Sequence, residues 1–145
     1  MKHLSHLTRQ DMLTMLLRGV ADDVPAYAAL LLMLEEQFDT ALRHQSALLT
    51  EVAERIGAAV EAMEARRRQR VSLVCALIGP AGTMAQVMAL LKGPSRLALE
   101  SHWLELERMV LECKRRNSRN SELLSNQYSI MQRVLHGEEQ IYAPA

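Results

Sequence analysis

An all-α fold, an antiparallel bundle of three long helices with coiled-coil-like packing and one or two short extra helices, follows from three observations on the 145-residue chain. Aromatic residues make up only 3% of it, and the dominance of Ala, Leu, Met, Glu and Arg suits long packed helices rather than β-sheets. From Leu99 to Val134 one stripe repeats in strict four-three steps: Leu99, Trp103, Leu106, Val110, Cys113, Asn117, Asn120, Leu124, Gln127, Met131, Val134. Such spacing holds one face of an α-helix against a partner for many turns. A second seam, Tyr27, Leu31, Leu34, Phe38, Ala41, Gln45, Leu48, Val52, Ile56, Ala59 and Met63, repeats the pattern upstream. A chain of this length makes one domain, 1–145, and buries a core without staples.

The elements follow in order. Residues 1 to about 19 read as a short extra helix, with Leu4, Leu7, Met12, Leu16 and Leu17 on roughly one side. Gly19 and the pair Asp22, Asp23 predict a break, and Pro25 fits the first turn of a fresh helix, where its missing N–H is harmless. The region from Pro25 to about Ile78 exceeds 50 residues, a rod of roughly 80 Å if straight. It is too long to pack fully against the carboxy-terminal helix, so a reversal is expected near Arg43 to Ser46, where apolar content is weakest. Gly79, Pro80 and Gly82 end that region. Thr83 and Gln86 form a capping-box pattern ahead of a short helix, Met84 to Leu91. Gly93 and Pro94 close it, Ser95 caps the final helix, and Gly137 stops that helix after His136. A tail, residues 138–145, then carries two large apolar side chains in no regular pattern.

Charge and motif content exclude several classes of function. Seventeen basic residues balance seventeen acidic ones, so no global field draws the chain to nucleic acid or anionic lipid. Arg66, Arg67, Arg68 and Arg70, and again Lys114, Arg115, Arg116 and Arg119, form basic clusters without interleaved aromatics. Ion pairing between helices, with Arg68 level with Glu105 and Glu107 nearby, accounts for them better than phosphate binding. Cys75 and Cys113 read as small buried hydrophobes in a reducing compartment. His3, His6, His44, His102 and His136 lack metal-ligand spacing, so no metal or other cofactor is expected. His136 suits a helix end, against the last carbonyls. No phosphate loop or nucleophile elbow occurs. The apolar stretch Met12 to Leu17 is too short to span a bilayer and lacks a cleavage site, and a cytoplasmic protein without stable membrane insertion is expected.

The amides gathered in the second half of the carboxy-terminal seam forgo hydrophobic burial. Asn117 and Asn120 are expected to fix helix register through buried hydrogen bonds.

Two long stretches resemble a known family. The run QFDTALRHQSALLTEVAERIGAAVEAMEARRRQR, Gln37 to Arg70, and the run WLELERMVLECKRRNSRNSELLSNQYSIMQRVLHG, Trp103 to Gly137, look like the FlgN family of flagellar type III export chaperones, and the closing IYAPA is similar to that family's Tyr-Gly-Pro tail. Ala143 and Ala145 stand where the family commonly has glycine, and Arg55 where it often has lysine, which keeps the charge but alters hydrogen-bond geometry. The resemblance implies an ATP-independent, non-enzymatic cytoplasmic chaperone. It would bind carboxy-terminal helical segments of hook-associated proteins, prevent their premature association and deliver them to the membrane export gate. An amphipathic client helix laid in a groove gives this a physical basis.

On the residues themselves, the client site is expected in the last third of the final helix with the tail: Leu123, Leu124, Ile130, Met131, Val134, Leu135, Ile141 and Tyr142. Of these, Leu124, Met131 and Val134 fall on the seam and are expected in the core. Ile130, Ile141 and Tyr142 fall off it or beyond the helix, and Tyr142 is also a candidate contact for the export gate. Two other readings compete. A coiled-coil adaptor would join two folded partners, and a helical-bundle enzyme of chorismate-mutase type would need charges on an apolar stripe that holds Leu, Val, Met and Asn instead.

Overall fold

The computed structural model describes residues 6–142, the side chains of 140–142 excepted. Four helices follow one another: α1 (Arg9–Leu42), α2 (Ser46–Leu77), α3 (Met84–Met88) and α4 (Gly93–Tyr142). The chain is all-α, and its three long helices run up, down and up. Arg66 and Arg70 of α2 meet Asp23 of α1 while Arg55 meets Glu36, so rising numbers on one helix match falling numbers on the other. Between α4 and α1 the order is instead preserved: Asn120 reaches Leu34 and Gln127 reaches Ala41, both 86 residues apart. The hairpin α1–α2 is therefore antiparallel, and α4 returns parallel to α1. Helix α1 is the shared element, with α2 on one side and α4 on the other, and a cleft lies between those two.

Helix α1 does not break at Gly19 or start at Pro25 as the local signals predict; it runs unbroken from Arg9. An interior proline disfavours a helix by about 3 kcal/mol relative to alanine. The penalty is outweighed because one stripe, Leu13, Leu16, Val20, Asp23, Leu30 and Leu34, is buried on both sides of it. Burying each large apolar side chain stabilises by about 2 kcal/mol. Pro25 itself lies on the solvent side. The helix begins instead at Thr8, whose hydroxyl accepts from the Asp11 N–H at 3.0 Å while Asp11 accepts from the Thr8 N–H at 3.1 Å. Leu4 lies outside the described residues.

The reversal expected near Arg43 to Ser46 is present. His44 takes a left-handed backbone, φ 55°, and Arg43 and Gln45 complete the turn. Helix α2 ends at Leu77, ahead of Gly79, Pro80 and Gly82. Gly82 has to be small, since a Cβ there would lie 2.8 Å from the Cβ of Ile78. The Thr83–Gln86 capping box forms as its sequence predicts, though α3 stops at Met88 and leaves Leu91 buried in the following turn. Ser95 does not cap α4, which already begins at Gly93. Nor does Gly137 end it: α4 continues to Tyr142, so residues 138–142 belong to a helix, and His136 is not at a helix end. One glycine disfavours a helix by only about 1 kcal/mol, and no proline follows closely enough to stop it. Residues 143–145 lie outside the described residues.

The main core sits at the end of the bundle where α1 starts. Leu13, Leu16 and Val20 pack there with Leu73 of α2, Val87 of α3 and Leu99 of α4. A smaller cluster, Leu30, Leu34, Met63 and Cys113, lies further along. Cys113 is buried as expected; Cys75 is exposed, which corrects the sequence reading. The arginines of the basic clusters are taken up in ion pairs, though not with the partners the sequence suggests, and Lys114 forms none among the described residues. Arg68 pairs with Glu64 on its own helix, and Glu105 with Arg108. Arg66 and Arg70 instead converge on the buried Asp23 carboxylate.

Candidate functional site

The far half of the α1–α4 contact is polar. Asn120, fully buried, donates through Nδ2 to the Leu34 carbonyl and to Gln37 Oε1, each at 2.8 Å, and its Oδ1 accepts from the Arg119 guanidinium. Arg116 donates to the Leu31 carbonyl at 2.9 Å, and Gln127 to the Ala41 carbonyl at 2.9 Å. Arg119 also lies 3.8 Å over the Phe38 ring and 3.0 Å from Glu35. These bonds fix how far α4 has slid along α1, because a shift by one turn would leave buried amide groups without partners. Asn120 is thus buried and bonded across to α1, the environment that a register residue requires. Asn117 is not: it is exposed, and Arg116 and Gln127 take the place assigned to it. The seam alone could not separate the three, since Arg116 lies off it and reaches over on a long side chain.

Among the described hydrogen bonds and ion pairs, that of Gln127 is the last to tie α4 to α1, whose own end, Leu42, lies one residue beyond Ala41. From Tyr128 to Tyr142, α4 continues past the bundle for roughly 22 Å at 1.5 Å per residue. This overhang carries the site residues read from the sequence. Leu123 and Leu124 are half-buried at its root. Ile130 is 52% exposed, Met131 56%, Val134 55% and Leu135 50%. Met131 and Val134 are therefore not core, which corrects the expectation drawn from the seam: the periodicity persists, but the partner helix has ended. Backbone positions 141 and 142 are helical, while the side chains of Ile141 and Tyr142 lie outside the described residues.

One exposed aromatic, Tyr128, was missed. It stands three residues before Met131 and seven before Leu135, so helical spacing placed it on their side. Winding at 100° per residue sets Tyr128, Met131 and Leu135 on one line and Ile130 and Val134 on the next, an apolar face roughly 160° wide. On a soluble helix such a width is normally covered. Of the exposed charged residues, Arg133 stands off this face and Glu139 borders it, while Glu138 falls within it one turn beyond Val134 and Leu135.

The cleft between α2 and α4 is a second feature that sequence reasoning did not find. Two adjoining cavities of about 370 and 430 Å³ meet at Arg70 and Trp103, and a third of about 240 Å³ continues over Leu30 and Met63. Arg70 lies 5.6 Å from the Trp103 ring. Burial pushes the hydroxyl of Tyr27, at the cleft floor, above the usual phenol range, and Asp23 adds to the effect. Only packing of three helices reveals the cleft, since its residues come from separate seams.

Long helices wound on a shared spine, with polar ties that fix register and an uncovered apolar overhang, define a helical binding module. The family model described as FlgN protein matches residues 12–137. That span is most of the chain, and the chain belongs to the FlgN family, a family of flagellar export chaperones. The match takes in α1, α2, α3 and α4 as far as Gly137. Comparison with curated proteins and with solved structures gave no match. No helix among the described residues is long and apolar enough to cross a membrane.

Proposed function

We propose that this chain is a cytoplasmic export chaperone for hook-associated flagellar proteins, taking the carboxy-terminal helical segments of its clients on the α4 overhang and presenting them to the export gate. The observation that carries this reading is the half-exposed row Ile130, Met131, Val134 and Leu135 on a helix that has outrun its neighbours. A client segment able to form an amphipathic helix would cover that face. Burying the remaining half of four such side chains favours binding by about 4 kcal/mol in all. Ordering the client opposes it by about 2–5 kcal/mol. These two nearly cancel, so contacts at Leu123, Leu124, Ile141 and Tyr142 would set the net affinity and keep it low enough for release. Met131 suits varied client surfaces because its thioether side chain adapts its shape.

The test is capture of purified hook-associated proteins by the wild-type chain and by an Ile130→Asp/Val134→Asp variant. Both positions lie outside the core, so the variant should keep the wild-type melting temperature while capture falls at least tenfold. Equal capture would reject the overhang as the client site. A chain truncated after Gly137 reports separately on Ile141 and Tyr142. A Tyr142→Ala variant that keeps its clients but fails in secretion assigns that residue to the export gate. Preference for folded partners over isolated carboxy-terminal segments would favour the adaptor reading instead.

A further inference from the structure

We infer that the α2–α4 cleft is a second docking site, distinct from the overhang, and that it takes an acidic amphipathic helix of about three turns from a partner protein. Three observations define the occupant. The first is shape. On α4 the lining runs from Trp103 to Lys114, eleven residues on, or roughly 17 Å of helix, and α2 flanks it from Val60 to Cys75. The cavities follow one another along the helix axes, so a rod fits where a compact ligand would fill only one of them.

The second is the apolar lining. Tyr27 and Trp103 form the floor, while Val71 and Leu111 stand on opposite rims, 55% and 68% exposed. A helix with apolar residues at i, i+3 or i+4 and i+7 would cover all four.

The third is charge. Asp23 answers two guanidiniums, Arg66 and Arg70, and Glu64 answers two more, Arg67 and Arg68, so each group keeps one net positive charge. Lys114 on the rim has no ion-pair partner among the described residues, and its charge is offset by Glu107 on the same helix. A carboxylate projecting from an incoming helix complements the positive cleft. A basic helix would meet a net like charge there, because Arg67, Arg70 and Lys114 outnumber Glu64 and Glu107 along the lining.

Trp103 is the sole tryptophan of the chain and lines the cleft, so its fluorescence reads occupancy directly. The probe is a synthetic helical peptide of about 14 residues with leucines at i, i+4 and i+7 and two flanking glutamates; its counterpart carries lysines in place of the glutamates. The acidic peptide should shift Trp103 emission saturably and bind at least about tenfold more tightly than the basic one. Lys114→Glu and Leu111→Asp, both exposed changes, should each weaken it about tenfold while leaving the melting temperature unchanged. The Ile130→Asp/Val134→Asp variant should bind it as the wild type does, which separates this site from the client overhang. The inference is overturned if the peptide produces no saturable shift. Equal binding of both peptides, unchanged binding by both cleft variants, or loss of binding in the overhang variant would also overturn it.

Discussion

Replacing Asn120 by alanine tests whether a single amide holds α4 in register on α1. The side chain is 2% exposed and donates two hydrogen bonds of 2.8 Å, one to the Leu34 carbonyl and one to Gln37. Each donated bond contributes about 1 kcal/mol net. Leaving Gln37 and the Arg119 guanidinium short of a partner, with a small void behind, brings the loss to about 3 kcal/mol. Unfolding entropy near 2.1 cal/mol/K per residue gives about 0.3 kcal/mol/K for a chain of this size, so the melting temperature should fall by about 10 °C. The assay is thermal unfolding followed by far-ultraviolet circular dichroism. Asn117→Ala is its control: an exposed residue three positions away that should move the midpoint by less than about 2 °C. A wild-type midpoint for Asn120→Ala, or an equal fall for Asn117→Ala, would refute the assignment of register to the buried amide.

Pro25→Ala should raise stability by about 2 kcal/mol, the gain in helix propensity less the lost restriction of the unfolded chain; a lower melting temperature would show that the proline sets how the two halves of α1 pack. In a native thiol titration Cys75, exposed, should react at once. Cys113 should react only on unfolding, because burial both shields its thiol and pushes its pKa up; two fast thiols would contradict the packing of α4. The carboxyls of Glu64 and Glu112 are held at about 2, against an ordinary 4.5, chiefly by hydrogen bonds from Arg67 and Arg115. A depressed carboxyl pKa contributes stability that is complete above the ordinary value and is lost as pH falls from about 4.5 towards about 2. Side-chain carboxyl NMR shifts should accordingly titrate near 2 for both residues, and midpoints near 4.5 would show that the pairs do not persist in solution.

The helical class, the reversal at Arg43 to Ser46, the Gly79–Gly82 connection and the Thr83 cap were all legible, because each rests on local spacing or turn chemistry. Pro25 and Gly137 misled for one reason: a breaker weighs one to three kcal/mol locally, and a continuous buried stripe or the absence of any competing turn exceeds that. The seam from Leu99 to Val134 was read correctly as a helix face but not as a core, since periodicity records which residues share a side and not where the neighbouring helix stops. Exposure of Met131 and Val134 depends on the length of α1, and burial of Asn120 rather than Asn117 on how α4 is rotated. The cleft beneath Arg70 and Trp103 draws on three helices at once, so no single segment announces it.

The overhang adds nothing to the hydrophobic centre that keeps the molecule folded. Selection on thermal robustness is therefore blind to Ile130, Met131, Val134 and Leu135, and under the proposed function only the client would constrain them. Leu16, Leu73 and Leu99 are not free in this way, because every change there is read first as a defect in assembly of the scaffold. Under the proposed function, recognition would evolve at the tip of α4 on a clock of its own, while the stem that carries it stays still.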